Sequence, residues 1–124
     1  MQQHRNQNQR VQTLRWCNGQ LEMIDQRVLP ARFEYLAYSN AAEVAEGIRS
    51  MVVRGAPAIG CAAAYGVALE ALAGQQLPAG AFAKAMEAAF DVLAASRPTA
   101  VNLFWALRRM RAVWQAVQYL ETHQ

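Results

Sequence analysis

Two short segments place an arginine immediately before a predicted helix start. They are Arg54-Gly55-Ala56-Pro57 and Arg97-Pro98-Thr99. Proline is favoured in the first turn of a helix, and a helix N-terminus presents unpaired N–H groups and a partial positive charge. An arginine beside it adds charge-assisted donors, and Gly55 has no Cβ to block a ligand. Both segments therefore predict anion binding, phosphate in particular.

A plainer interpretation of the same two segments is that they only begin helices and bind no ligand. Proline often begins helices that bind nothing, and an arginine near a helix start is often solvated. The segments are not a P-loop, because the Lys-Ser/Thr pair of that motif is missing.

The thiols offer little further chemistry. Cys17 borders a predicted turn, and Cys61 lies in an apolar run where we expect it to be buried and unreactive. The two histidines, His4 and His123, stand at opposite ends of the chain. Because no histidine is placed to activate a thiol, the sequence predicts no catalytic residue in this chain.

Among the remaining charged residues, Asp25 follows a predicted strand, where it can cap or pair with an arginine. Glu70 near a helix end is expected to be solvated. The cluster Arg108, Arg109 and Arg111 can contact nucleic acid or form a solvated helix face. The second interpretation is favoured because no aromatic platform is interleaved with these arginines.

Composition limits the class of protein. The chain has 124 residues, 54% hydrophobic and 17% charged, which predicts one folded domain and excludes general disorder. Two cysteines exclude a disulfide scaffold. Residues 1–12 are rich in Gln, Asn and Arg and predict a disordered tail rather than a secretory signal. The apolar run 57–73 is short for a membrane span, so we expect a cytoplasmic protein without membrane contact.

Residues 13–38 alternate as strands do. Asn18-Gly19 predicts a type I′ hairpin, because that turn needs positive φ at both positions. This register places Trp16 opposite Leu21, with Trp16 on a core-facing stripe. It also places Leu14 opposite Met23, and Arg15 opposite Glu22 as an exposed pair. The segment 33–38 predicts a third antiparallel strand.

Residues 40–122 follow a helical period. Asn40 with Glu43 has the spacing of a capping box, and this helix is expected to stop near Arg54-Gly55. A second helix, 57–73, carries only one charge and is expected to be buried on all sides. A third follows Pro78 and breaks at Ser96-Arg97-Pro98, and Thr99 can cap a fourth.

The fourth helix is expected to run toward Glu121. Its predicted core stripe contains Leu103, Leu107, Met110, Trp114 and Val117. Residues 13–124 therefore predict one α+β domain, a small antiparallel sheet followed by a bundle of about four helices.

Five stretches carry a family resemblance. They are Leu14-Arg15-Trp16, 21–26 with Leu29-Pro30, 51–60, 62–66, and 96–103 with Trp105-Ala106. Together they resemble the N-terminal region of the methylthioribose-1-phosphate isomerases, which belong to the superfamily of the translation initiation factor 2B regulatory subunits. The resemblance covers residues 13–115.

This resemblance implies an aldose–ketose isomerisation of 5-methylthioribose 1-phosphate to 5-methylthioribulose 1-phosphate, in methionine salvage and without metal or organic cofactor. It places Arg54, Gly55, Ala56 and Arg97 on the substrate and its phosphate. The family's catalytic Cys and Asp belong to a C-terminal Rossmann-like domain whose motifs have no match in this sequence. The resemblance therefore implies the N-terminal part of a longer, homodimeric enzyme, inactive alone, whose partner is a small sugar phosphate and not nucleic acid.

Two alternatives remain open within that resemblance. One is a related isomerase that acts on a ribose bisphosphate. The other is a non-catalytic regulatory or nucleic-acid-binding module.

Overall fold

Three short strands precede four helices in the computed structural model, which describes residues 12–122. The elements are β1 Leu14–Cys17, β2 Gln20–Ile24, β3 Tyr35–Tyr38, α1 Ala41–Arg49, α2 Ala56–Ala73, α3 Ala79–Ser96 and α4 Val101–Thr122. The α+β prediction is confirmed. All but the last residue of the predicted tail 1–12 lies outside the described residues, as do His4 and His123.

The hairpin follows the predicted register. Asn18 and Gly19 have φ values of 53° and 77°, which are the two positive angles that a type I′ turn needs. Leu14 lies opposite Met23, and Trp16 opposite Leu21. The Nε of Arg15 donates to Oε1 of Glu22 at 2.6 Å on the other face. The third strand, β3, pairs antiparallel with β2.

The turn after β2 is shaped by a buried carboxylate. Asp25 is 3% exposed. Its Oδ1 accepts from the backbone N–H of Arg27 at 3.0 Å and from Nε at 2.8 Å, and its Oδ2 accepts from Nη2 at 2.9 Å. These hydrogen bonds hold the pKa of Asp25 below its usual range, although burial acts in the opposite direction. The predicted pairing of Asp25 with an arginine is confirmed.

Helix α1 begins with a modified capping box. The Oδ1 of Asn40 accepts from the N–H of Glu43 at 2.9 Å. The Glu43 carboxylate accepts from Ser39, one residue earlier than the standard box requires. Glu70 of α2 accepts from the N–H of Ala41 at 3.1 Å, so it caps α1 rather than being only solvated.

The predicted end of α1 near Arg54 is wrong, because the helix stops at Arg49. Met51 adopts φ 69°, in the left-handed region. The N–H groups of Met51 and Val52 donate back to carbonyls of the last turn, which is the Schellman pattern. Met51 is therefore exposed outside the helix, and Val52 is buried in the following segment.

Helix α2 packs against the other three helices. It is 18 residues long with a mean hydropathy of 1.4, so by length and composition alone it is apolar enough to cross a membrane. The prediction that it is buried on all sides is wrong. One face carries the exposed Cys61 and the half-buried Tyr65. Trp16 covers Tyr65 with a stacked ring at 5.7 Å and remains 40% exposed itself, so it is not the core residue that was predicted.

Two glycines let α2 approach its neighbours closely, as a helix of small residues allows. A Cβ at Gly60 would lie 3.1 Å from the backbone oxygen of Asn102 in α4. A Cβ at Gly66 would lie 3.2 Å from a methyl group of Leu93 in α3. The Gly60 contact is with a backbone atom, which cannot rotate away, whereas the Gly66 contact is with a side chain, which can.

Helix α3 follows Pro78 and ends at Ser96, as predicted. Helix α4 begins at Val101, and the N–H of Phe104 donates to the carbonyl of Ala100. Ala100 is therefore the N-cap residue, and the prediction for Thr99 is wrong because the chain makes one further turn before the helix starts.

The core stripe of α4 is shorter than predicted. Leu103 and Leu107 are buried, Met110 and Trp114 are partly buried against the core, and Val117 is 47% exposed. Val117 lines an open apolar groove shared with residues of α2 and α3, and it therefore stays partly uncovered.

We predict that Gly60→Ala destabilises the fold by about 1–3 kcal/mol, because the added methyl group meets the Asn102 backbone oxygen and overpacking has costs of this size. Urea unfolding measures the change. The matched control is Gly80→Ala in the first turn of α3, where a Cβ meets nothing within 4 Å and stability should hold or rise. Equal effects of the two substitutions would contradict the close-contact interpretation.

We predict that Asp25→Asn lowers the free energy of unfolding by about 1–3 kcal/mol at neutral pH. The folded-state pKa of Asp25 is depressed, so its contribution is present above the unfolded pKa of about 3.9 and is lost as pH falls through the folded value. The urea midpoints of both proteins should therefore begin to approach each other below about pH 4 and converge only below the depressed folded-state pKa. Glu34→Gln, in an exposed pair with Arg32, should change little. A difference independent of pH would refute this assignment.

Candidate functional site

The link between α1 and α2 carries the first predicted anion segment. Gly55 is the N-cap of α2, with φ 94° and no side-chain cap, and Pro57 lies in the first turn. This φ favours glycine, and open space surrounds the position that a Cβ would occupy. Ala56 is the first residue of α2 and is exposed. The first N–H groups of α2 therefore face an unobstructed approach.

Arg54 is exposed and reaches back toward the sheet. Its Nη2 donates to the backbone carbonyl of Gln26 at 3.3 Å. The N–H of Gln26 donates to the carbonyl of Val52 at 3.0 Å. The turn after β2 is therefore fastened to the segment that carries Arg54. Sequence reasoning missed Gln26, whose contribution is a backbone carbonyl and leaves no mark on residue type.

Arg97 has a different environment. It is the C-cap residue of α3 and is half-buried. Its backbone carbonyl accepts from the N–H of Ala100 at 3.0 Å, which makes a tight turn into α4. Its Nη1 is a buried nitrogen without a hydrogen-bond partner among residues 12–122, a condition it shares with Nε1 of Trp114. A buried guanidinium nitrogen is costly unless an acceptor pairs with it.

Helices α2 and α4 run parallel, side by side. Gly60, near the start of α2, meets Asn102, near the start of α4. At the other end, Ala71 of α2 and Trp114 of α4 line one apolar groove of about 550 Å³. The two N-termini therefore lie at the same end of the bundle. Arg54 precedes the N-terminus of α2, and Arg97 precedes the N-terminus of α4. Each arginine stands about the same number of residues before the Gly60–Asn102 contact.

The other candidate groups are placed elsewhere in the fold. Cys61 is exposed, contrary to the prediction of burial, and Cys17 is half-buried; both are free thiols. Within residues 12–122 no group of three or more His, Cys, Asp or Glu side chains could hold a metal ion.

Two arginines of the α4 cluster, Arg109 and Arg111, have partners within the protein. Arg111 pairs with Glu87 of α3 at 2.9 Å and lies 4.3 Å from the centre of the Phe90 ring. Arg109 lies over the ring of Trp105 at 5.4 Å. Arg111 therefore joins α4 to α3, and its cation is already engaged by protein groups.

Comparison with known proteins gives close matches. The sequence profile of the initiation factor 2 subunit family matches residues 52–124. A methylthioribose-1-phosphate isomerase of Albidiferax ferrireducens is 75% identical over 109 residues, which is 88% of this chain and 31% of that protein. The chain therefore spans about a third of the length of such relatives.

Solved structures agree in fold. The crystal structure of 5-methylthioribose 1-phosphate isomerase from Pyrococcus horikoshii superposes with a TM-score of 0.82 at 42% identity, covering 87% of this chain and 30% of that one. Translation initiation factor eIF-2B subunit delta from A. fulgidus superposes with a TM-score of 0.77 at 37% identity, covering 86% and 31%. On the profile match and these identities, the chain belongs to the initiation factor 2 subunit family.

Proposed function

We propose that this chain supplies the phosphate-binding part of an aldose–ketose isomerase that converts 5-methylthioribose 1-phosphate to 5-methylthioribulose 1-phosphate in methionine salvage. The observation that carries the proposal is the buried Nη1 of Arg97, which has no partner among the described residues and lies just before α4. A phosphate oxygen is an acceptor that would pair with such a donor. The 75% identity with a methylthioribose-1-phosphate isomerase supports the choice of substrate.

In this proposal Arg54, Gly55, Ala56 and Arg97 form one site. The parallel N-termini of α2 and α4 direct N–H groups toward the same end of the bundle, where their partial positive charges add. The two guanidinium groups then both donate to the phosphate dianion. Binding energy from this remote group orients the sugar for the isomerisation.

The proton transfers of isomerisation are assigned to groups outside this chain. The family resemblance implies a catalytic Cys and Asp with motifs that this sequence lacks, and no organic or metal cofactor. We further propose a cytoplasmic homodimer that binds neither nucleic acid nor membrane. These statements rest on the resemblance.

A second candidate is a non-catalytic regulatory module. The superposition on eIF-2B subunit delta favours it, because the fold is shared at 37% identity. Binding of RNA that weakens steeply with salt would support this candidate. A third, ribose-bisphosphate isomerisation, uses the same phosphate contacts and is separated from the first by assaying both substrates.

We predict that Arg54→Ala and Arg97→Ala each weaken binding of the sugar phosphate at least ~10-fold, which corresponds to about one charge-assisted hydrogen bond. Replacement by Lys should rescue only in part, because an ammonium lacks the bidentate fork. Calorimetric titration with 5-methylthioribose 1-phosphate measures the affinity. Arg109→Ala is the control and should change little. If only one of the two arginines affects affinity, the shared site is wrong.

We predict that the purified 124-residue chain has no isomerase activity, since positioned acid–base groups contribute ~10²–10⁴ in rate and none is assigned to it. The assay follows formation of the ketose at high protein concentration. Turnover that survives rigorous purification would show that the chemistry lies within these residues.

A further inference from the structure

The backbone of Gln26 is held through both its N–H and its carbonyl. Its N–H donates to the carbonyl of Val52 at 3.0 Å, and its carbonyl accepts from Nη2 of Arg54 at 3.3 Å. Val52 and Arg54 belong to the segment that leads into α2. The Gln26 carbonyl is thus a fixed acceptor that sets where the exposed Arg54 guanidinium lies.

The orientation of that peptide depends on the residues on either side of it. The Asp25 carboxylate accepts three hydrogen bonds from Arg27, one from its backbone N–H and two from its guanidinium. The N–H of Asp25 donates to the carbonyl of Glu34 at 2.8 Å, and its carbonyl accepts from Val28 at 3.3 Å. Every polar group of Asp25 is therefore engaged, and the two peptide groups on either side of the Gln26 Cα have little freedom to rotate.

We propose that Asp25 and Arg27 are positioning residues that act on Arg54 through the Gln26 carbonyl. This inference rests on the proposed phosphate site, whose affinity it deepens. Arg54 is a long, exposed side chain, and immobilising such a chain on binding costs affinity. A carbonyl held in place by the Asp25–Arg27 pair orders the guanidinium before the anion arrives.

The positioning proposal and simple electrostatics predict opposite changes in anion affinity for the substitution Asp25→Asn. Asp25→Asn removes one negative charge from the loop beside Arg54, which by charge alone strengthens anion binding. If the carboxylate instead fixes the Gln26 carbonyl, the same substitution weakens binding, because Arg54 becomes mobile. Glu34→Gln makes the same change in net charge in the same loop, and the Glu34 side chain pairs with Arg32 rather than with Arg27.

The test uses nuclear magnetic resonance of the 124-residue chain with inorganic phosphate as the probe. The Arg54 Nε–Hε resonance reports order without ligand, and its shift during titration reports affinity. We expect Asp25→Asn to weaken phosphate binding about 2- to 10-fold, the cost of ordering one long side chain. We also expect its Arg54 order parameter to fall below about 0.6. Glu34→Gln should leave the order parameter unchanged and affinity equal or higher.

Arg27→Lys provides a second variant that preserves net charge and the backbone N–H bond to Asp25. Its phosphate affinity and its Arg54 order parameter should both lie between those of the parent and those of Asp25→Asn. If Asp25→Asn does not fold, Arg27→Lys tests the positioning proposal in its place. An unchanged Arg54 order parameter with affinity equal to or above that of the parent would overturn the proposal. If the parent does not bind phosphate at all, the proposed function fails, while the order of Arg54 in the ligand-free variants still tests the positioning inference.

Discussion

The contact of Gly60 with the backbone of Asn102 is the constraint on which the rest of the site depends. It lets α2 and α4 lie close together in parallel, with their N-termini at one end of the bundle. Two parallel neighbours place partial positive charges side by side, which is unfavourable without a compensating anion. In the proposed site, a phosphate offsets this repulsion and the desolvation of Arg97. The close packing and the affinity for an anion then have one physical origin.

The small sheet contributes to this end of the bundle through the turn that follows β2. The Asp25 carboxylate and the Arg27 guanidinium form that turn, and the Gln26 peptide fastens it to the segment between α1 and α2. That segment is irregular because α1 ends early, at Arg49, and Met51 beyond it lies in the left-handed region. Met51 and Val52 are held by hydrogen bonds to the last turn of α1, and Val52 also accepts from the N–H of Gln26. The second contact links the turn after β2 to the placement of Arg54.

The features that the sequence predicted well are those decided by local chemistry. Asn18-Gly19 determines the hairpin register because few other residue pairs accept a positive φ at both positions. Asn40 caps α1 through its own side chain. The end of α1 was not predictable in this way, because the left-handed position is taken by Met51 instead of the usual glycine. The exposure of Cys61 was also missed. A helical period shows that a residue is apolar, whereas burial depends on which elements pack over it.

The candidate site shows the same division between features decided by local chemistry and features decided by packing between elements. Residue type and spacing predict an anion site at Arg54-Gly55 and at Arg97, since proline, glycine and arginine mark a helix start that can receive an anion, and the family resemblance adds Ala56; these four residues stay a prediction. The sequence could not distinguish the two arginines. Arg54 is exposed and oriented by a carbonyl from another element, whereas Arg97 is half-buried with one nitrogen unpaired. A buried unpaired donor lowers stability, and proteins retain such costs chiefly where function requires them. On that argument Arg97 is the fixed side of the proposed site, and Arg54 is the side whose geometry the rest of the fold must set.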